Sequence, residues 1–253
     1  MAIWNDPQPS QTGFGASSRM NAGFSARSQT LDVGLRKHML SIYNYMTSAV
    51  ILSGIVALVL SQLVMSGNPA AIALLTSPLR YVIMLAPLGF VLAMNFGLAR
   101  MQPSTLKMLF WAFAFAMGLS LSSILLVYTG TSVALTFFAT AGAFAGLSLV
   151  GYTTKKDLSG FGSFLIMGLF GLIIASLVGM FFHVPGLAMV ISVLGVLIFA
   201  GLTAYDTQRL KAMYVQVAGT EYEEKIAVMG ALTLYLDFIN MFQFLLSFLG
   251  DRR

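Results

Sequence analysis

Seven runs of about twenty or more largely apolar residues dominate this 253-residue chain, at roughly 39–65, 81–100, 106–128, 131–153, 161–183, 186–208 and 226–249. Each is long enough, as a helix, to cross a hydrocarbon core of about 30 Å. Charged residues make up only 9% of the chain and hydrophobic ones 58%, too little polar surface to face water on all sides; soluble chains run near about 25% charged. Lipid is therefore the solvent for most of the chain, and the expected fold is all-α: a seven-transmembrane helical bundle over residues 31–253. Residues 1–30 are rich in Gly, Ser, Asn and Gln and read as a disordered cytoplasmic tail. They contain no apolar run of the signal-peptide kind, so the first span is expected to serve as an uncleaved insertion signal. Leu31, Leu35, Met39 and Ile42 follow at helical spacing, as an interfacial lead-in would.

Lys and Arg orient the bundle. With the N-terminus in the cytoplasm, eleven of the fourteen basic residues fall inside, and only Arg80, Arg252 and Arg253 fall outside. The terminal Arg pair opposes this count, so a re-entrant last segment is the alternative to seven full spans. The formal net charge of +5 does not indicate nucleic-acid binding, because the basic residues stand singly between apolar runs and form no patch. Pro87 falls inside the second span and is expected to kink it, and Pro185 suits the first turn of the sixth. Ala114-Phe-Ala-Met-Gly-Leu-Ser-Leu and Ala143-Phe-Ala-Gly-Leu-Ser-Leu echo one another weakly. Gly142 with Gly146, and Ala175 with Gly179, have the small-xxx-small spacing of closely packed membrane helices.

Chemistry is sparse. The chain has no cysteine, which excludes disulfides, thiolate metal sites and a cysteine nucleophile. His38 and His183 sit at the ends of different spans and do not suggest a shared metal. Phosphate-cradling and zinc-protease motifs are absent; Gly160-Phe-Gly162 lacks the third glycine of a dinucleotide fingerprint. No nucleophile–base pair can be assembled, so an enzyme is not expected, nor is a cofactor. Thr220-x-x-Glu223 reads as a capping box opening the last helix, with Glu221 and Glu224 as solvated charges.

Two of the nine acids lie within the spans, Asp206 near the inner end of the sixth and Asp237 near the middle of the seventh. A carboxylate in a bilayer costs at least about 2.5–3.5 kcal/mol and usually faces a cavity, a partner or a proton path. Asp206, three residues before Arg209, has the alternative of reaching the headgroups; Asp237 is too deep for that. Gly230, Thr233, Asp237 and Asn240 make one polar stripe on the seventh helix, opposite an apolar face of Leu234, Phe238, Phe242 and Leu245. Such a stripe must face protein or water, which makes this C-terminal helix a candidate for the centre of the bundle. If the two aspartates approach each other they cannot both ionise cheaply and would share a proton. Deprotonated, they repel or recruit a cation, and oxygen ligands suit a hard one such as Ca²⁺, held weakly because two carboxylates are few. Arg100, at the inner end of the second span, is a nearby cation or an ordinary positive-inside anchor.

Three strings, Gly151-Tyr-Thr-Thr-Lys-Lys-Asp-Leu-Ser-Gly-Phe-Gly162, Gly201-Leu-Thr-Ala-Tyr-Asp-Thr-Gln-Arg-Leu-Lys211 and Gly230-Ala-Leu-Thr-Leu-Tyr-Leu-Asp-Phe-Ile-Asn240, resemble the Bax inhibitor-1 family, in its bacterial inner-membrane branch. The resemblance implies six helices around a central seventh and a pH-sensing pair at Asp206 and Asp237. It also implies a pH-dependent Ca²⁺ leak and an arginine latch at the place of Arg100. Some relatives also carry an acid inside the second span; residues 81–99 have none. Certain bacterial relatives bind a membrane-anchored AAA protease, an alternative role in which the polar tail would engage the partner.

Overall fold

A computed structural model describes the backbone of residues 14–182 and 186–253, with side chains from Leu31 onward. Of the tail expected over 1–30, residues 1–13 lie outside the described residues, as do His183 and Pro185, while the backbone of 14–30 is helical and continuous with the first span. Eight helices follow in order: α1 (Phe14–Met65), α2 (Pro69–Thr76), α3 (Leu79–Gly97), α4 (Pro103–Val127), α5 (Gly130–Thr153), α6 (Ser159–Phe181), α7 (Leu187–Val217) and α8 (Tyr222–Leu249). All but α2 are long and apolar enough to cross a membrane. The protein is an all-α membrane bundle, and among the described residues the only β pairing is a single bridge between Tyr128 and Arg252.

The spans keep the expected order, but three boundaries differ. The lead-in at Leu31–Ile42 is continuous with the first span inside α1. The connection 66–80 contains the short helix α2, started by Pro69 and by Asn68, whose Oδ1 accepts from the backbone N–H of Ala70 at 3.0 Å and Ala71 at 3.3 Å. The sixth span runs on past 208 to Val217, because Leu210, Ala212, Met213 and Tyr214 continue the apolar face after Arg209. The Thr220–Glu223 box forms only in part. Glu223 reaches back one residue further than expected, to the backbone N–H of Gly219 at 2.8 Å, while the Thr220 hydroxyl accepts from Tyr222 N–H at 3.3 Å.

Pro87 lies buried inside α3. It cannot donate to the carbonyl four residues earlier, and the vacancy is filled from outside: Ser120 Oγ on α4 donates to Ile83 O at 2.7 Å. In hydrocarbon, where water cannot serve, such a freed carbonyl needs a protein donor.

The C-terminal helix crosses the whole bundle. At its start Lys225 Nζ donates to Leu98 O at 3.5 Å, and Glu224 pairs with Lys107. At its far end the tail is clamped across the α4–α5 connection: Thr129 N donates to Asp251 O at 2.9 Å, and Arg253 N to Val127 O at 2.9 Å. The two ends of α8 are thus held at opposite ends of the bundle, as seven full spans require and a re-entrant last segment does not allow. Helix α8 packs against α1, α4, α5 and α7, and half of its most apolar stretch is buried, a larger share than in any other span.

Close backbone approaches set the packing. A Cβ on Gly118 would lie 2.7 Å from Ser53 O, joining α4 to α1, and one on Gly151 would lie 2.2 Å from Ala204 O, joining α5 to α7. Gly179 packs on Leu187 of α7, as the small-residue spacing suggested. Gly142 and Gly146 do not follow that expectation: both are exposed, and a Cβ on either would meet nothing within 4 Å. Their motif has the right period but, among the described residues, packs against no other helix. At the α1–α4–α8 junction Ser53 Oγ lies 2.7 Å from Tyr235 Oη and donates to Ala114 O at 2.7 Å, with Tyr235 fully buried against Phe113.

Candidate functional site

Helices α6 and α8 both pack on α7 but scarcely touch one another. The wedge between them is a cavity of about 740 Å³ whose walls carry Asp206 and Arg209 from α7, and Thr233, Asp237 and Asn240 from α8. The long apolar run of α6, with Leu169, Ile173 and Leu177, closes the third side. Asp206 is 8% exposed and Asp237 is 4% exposed, and Asp237 Oδ2 has no hydrogen-bond partner among the described residues. Both carboxylates line this one cavity.

The stripe on α8 arrives at the cavity in part. Thr233, Asp237 and Asn240 line it, while Gly230 instead meets Leu210, where a Cβ would stand 2.7 Å from Leu210 Cδ2. Thr233 Oγ1 donates to Met229 O at 3.1 Å and Asn240 Nδ2 to Leu236 O at 2.8 Å, which spends the hydroxyl donor and one of the two amide N–H groups on the helix. The hydroxyl and amide oxygens remain as acceptors. Every polar group here except Arg209 therefore offers oxygen. Among the described residues no group of three or more His, Cys, Asp or Glu gathers in metal-holding geometry. The oxygen set is too small for a closed Ca²⁺ cage of six to eight ligands and suits a cation that keeps part of its water.

Arg100 stands elsewhere. It is exposed on the turn after α3, where its N–H bonds to Gly97 O at 2.9 Å, and it does not line the cavity. The cation on the cavity wall beside Asp206 is Arg209. The sequence contains the signal for this: residues three apart on a helix share a face, and Arg209 follows Asp206 by three.

A second cavity of about 630 Å³ continues the first, sharing Ser176, Asn240 and Phe244 and adding Ser192, Gln243 and Ser247. These residues drew no notice in the sequence because single Ser and Gln residues in apolar spans are common as helix-to-helix glue; Ser192 and Ser247 do bond one another at 3.1 Å.

Fold and site together define a multi-pass helical membrane protein with acidic side chains buried in a transmembrane cavity. The sequence model described as "Inhibitor of apoptosis-promoting Bax1" matches residues 35–253. An uncharacterized protein of Caulobacter vibrioides is 48% identical over 234 residues, covering 88% of this chain and 92% of the relative. One of Rickettsia prowazekii is 44% identical over 229 residues, covering 90% and 95%. Inner membrane protein YbhL of Escherichia coli is 41% identical over 225 residues, covering 87% and 94%. The chain belongs to the Bax inhibitor-1 family.

Proposed function

We propose that this protein is a pH-sensitive cation leak of a bacterial inner membrane, with Ca²⁺ as the cation and Asp206 and Asp237 as its control. The observation that carries the reading is Asp237: a carboxylate in mid-span, buried, with an unpartnered oxygen, on a cavity wall that it shares with Asp206. A carboxylate so placed costs free energy that a merely structural residue would avoid. Protonated, the two acids are neutral enough to leave the cavity without a cation. Deprotonated, they need one, and Arg209 and a partly hydrated Ca²⁺ compete for that place. The second cavity, with Asn240, Gln243 and Ser247, carries the route toward the far face. The N-terminus and the basic end of the bundle face the cytoplasm, following the distribution of Lys and Arg.

Ca²⁺ flux into liposomes holding the purified protein, measured against pH, tests this. Asp237→Asn is expected to lower the flux and flatten its pH profile; unchanged flux and profile refute the mechanism. Arg209→Gln is expected to displace the profile. Arg100→Gln is expected to do so only if the turn at 98–101 swings inward during gating, as a latch at that position requires.

A further inference from the structure

On the other side of α8 from the aspartates, α1 and α5 stand side by side without closing on each other. A crevice of about 750 Å³ separates them, floored by Phe238 of α8. Most of its length is apolar: Met46, Val50 and Ile51 on α1 face Phe137, Ala141 and Ala145 on α5. Apart from Thr47 on the α1 wall, its polar residues are those of the basic end: Arg36, Tyr43, Ser148 and Tyr152.

Ser148 is the informative residue. Hydroxyls in membrane helices normally bond the carbonyl four residues back, as Thr140 and Thr153 do on this same helix. Ser148 is 5% exposed, yet its Oγ has no hydrogen-bond partner among the described residues. It lies on the crevice wall five residues before the end of α5, about 7 Å from that end. A headgroup region is itself about 5–7 Å thick on each side, so this hydroxyl sits at the level where a glycerolipid's ester carbonyls begin. Arg36 lines the same crevice and supplies the cation for a phosphate. Arg36 also borders a second groove with Lys37, Ser41 and Asn44, and neither lining contains a carboxylate. From Arg36 to Ile51 the α1 wall runs about 22 Å, enough for a headgroup and a chain reaching the middle of the bilayer.

We propose that the α1–α5 crevice is a binding site for one anionic phospholipid. The phosphate pairs with the Arg36 guanidinium, an ester carbonyl accepts from the Ser148 hydroxyl, and one acyl chain lies against Val50, Phe137 and Ala141. Charge selects the anionic class, since among the described residues the lining carries Arg36, with Lys37 in the adjoining groove, and no acid that would attract a choline or ethanolamine.

Native mass spectrometry of the full-length protein in detergent tests this, with phosphatidylglycerol and phosphatidylcholine of identical chains as probes. One phosphatidylglycerol should be retained, preferred by about tenfold for one charge-assisted contact. Arg36→Gln should erase the preference. Ser148→Ala should weaken retention of the ester lipid and leave that of its ether-linked analogue, which has no carbonyl, unchanged. Ala145→Phe, on the open wall, should displace both lipids, and its thermal unfolding reports whether it folds. Equal retention of the two headgroups by the unaltered protein overturns the proposal. So does a Ser148→Ala effect of equal size on ester and ether lipids. Competition by glycerol phosphate as effective as by the whole lipid also overturns it, since the site would then read phosphate alone.

Discussion

Two glycines on α5 should respond with opposite signs to the same substitution. In Gly151→Ala the new methyl stands 2.2 Å from Ala204 O, and the atoms nearest it are all backbone. Ordinary contact begins near 3.4 Å, so α5 and α7 must separate by about 1.2 Å. No side chain can turn aside to absorb this. Overpacking of that kind costs typically about 1–3 kcal/mol, against a gain of about 0.5–1 kcal/mol from replacing a helical glycine. The net expectation is a loss of up to about 2.5 kcal/mol. In Gly142→Ala the methyl meets nothing within 4 Å, and only the gain remains. Denaturant titration in mixed micelles, followed by helical circular dichroism, should order the proteins Gly142→Ala, unaltered, Gly151→Ala from most to least stable. Because Ala204 lies two residues before Asp206, Gly151→Ala should also alter the pH profile of flux, and Gly142→Ala should not. Equal stability of the two variants would refute the reasoning that backbone contact, and not glycine content, holds these helices together.

Two further outcomes follow from the hydrogen bonds and the chain path. Ser53→Ala leaves the Tyr235 hydroxyl buried without its partner and should cost about 1–3 kcal/mol; Tyr235→Phe leaves Ser53 with the carbonyls of Ala49 and Ala114 and should cost about 0.5–1.5 kcal/mol. The same denaturant titration checks the order, and a larger loss in Tyr235→Phe would contradict it. Since the chain has no cysteine, single replacements report topology directly. In intact cells an impermeant maleimide should label Arg253→Cys and miss Lys156→Cys until the membrane is opened; labelling of both from one side would contradict seven full spans.

The class of protein was legible before any coordinate. Lipid leaves no freedom about apolar length or backbone pairing, so seven long apolar runs meant seven helices. The same constraint made Asp237 conspicuous, because a mid-span carboxylate is costly wherever the helix packs. What could not be read was which way each residue faces. In a membrane span the lipid side and the protein side are both apolar, so hydrophobic periodicity, the usual guide to a buried face, is nearly flat. Gly142 and Gly151 look equally suited to helix contact in the sequence, yet only Gly151 meets a neighbour. Arg100 and Arg209 each follow a long apolar run in the sequence, yet only Arg209 shares the wall of Asp206. Ser120 and Ser148 are alike on paper; one completes the bond that Pro87 lacks, and the other is left facing a crevice. Those assignments depend on how the helices are rotated and spaced, which only the packed bundle decides.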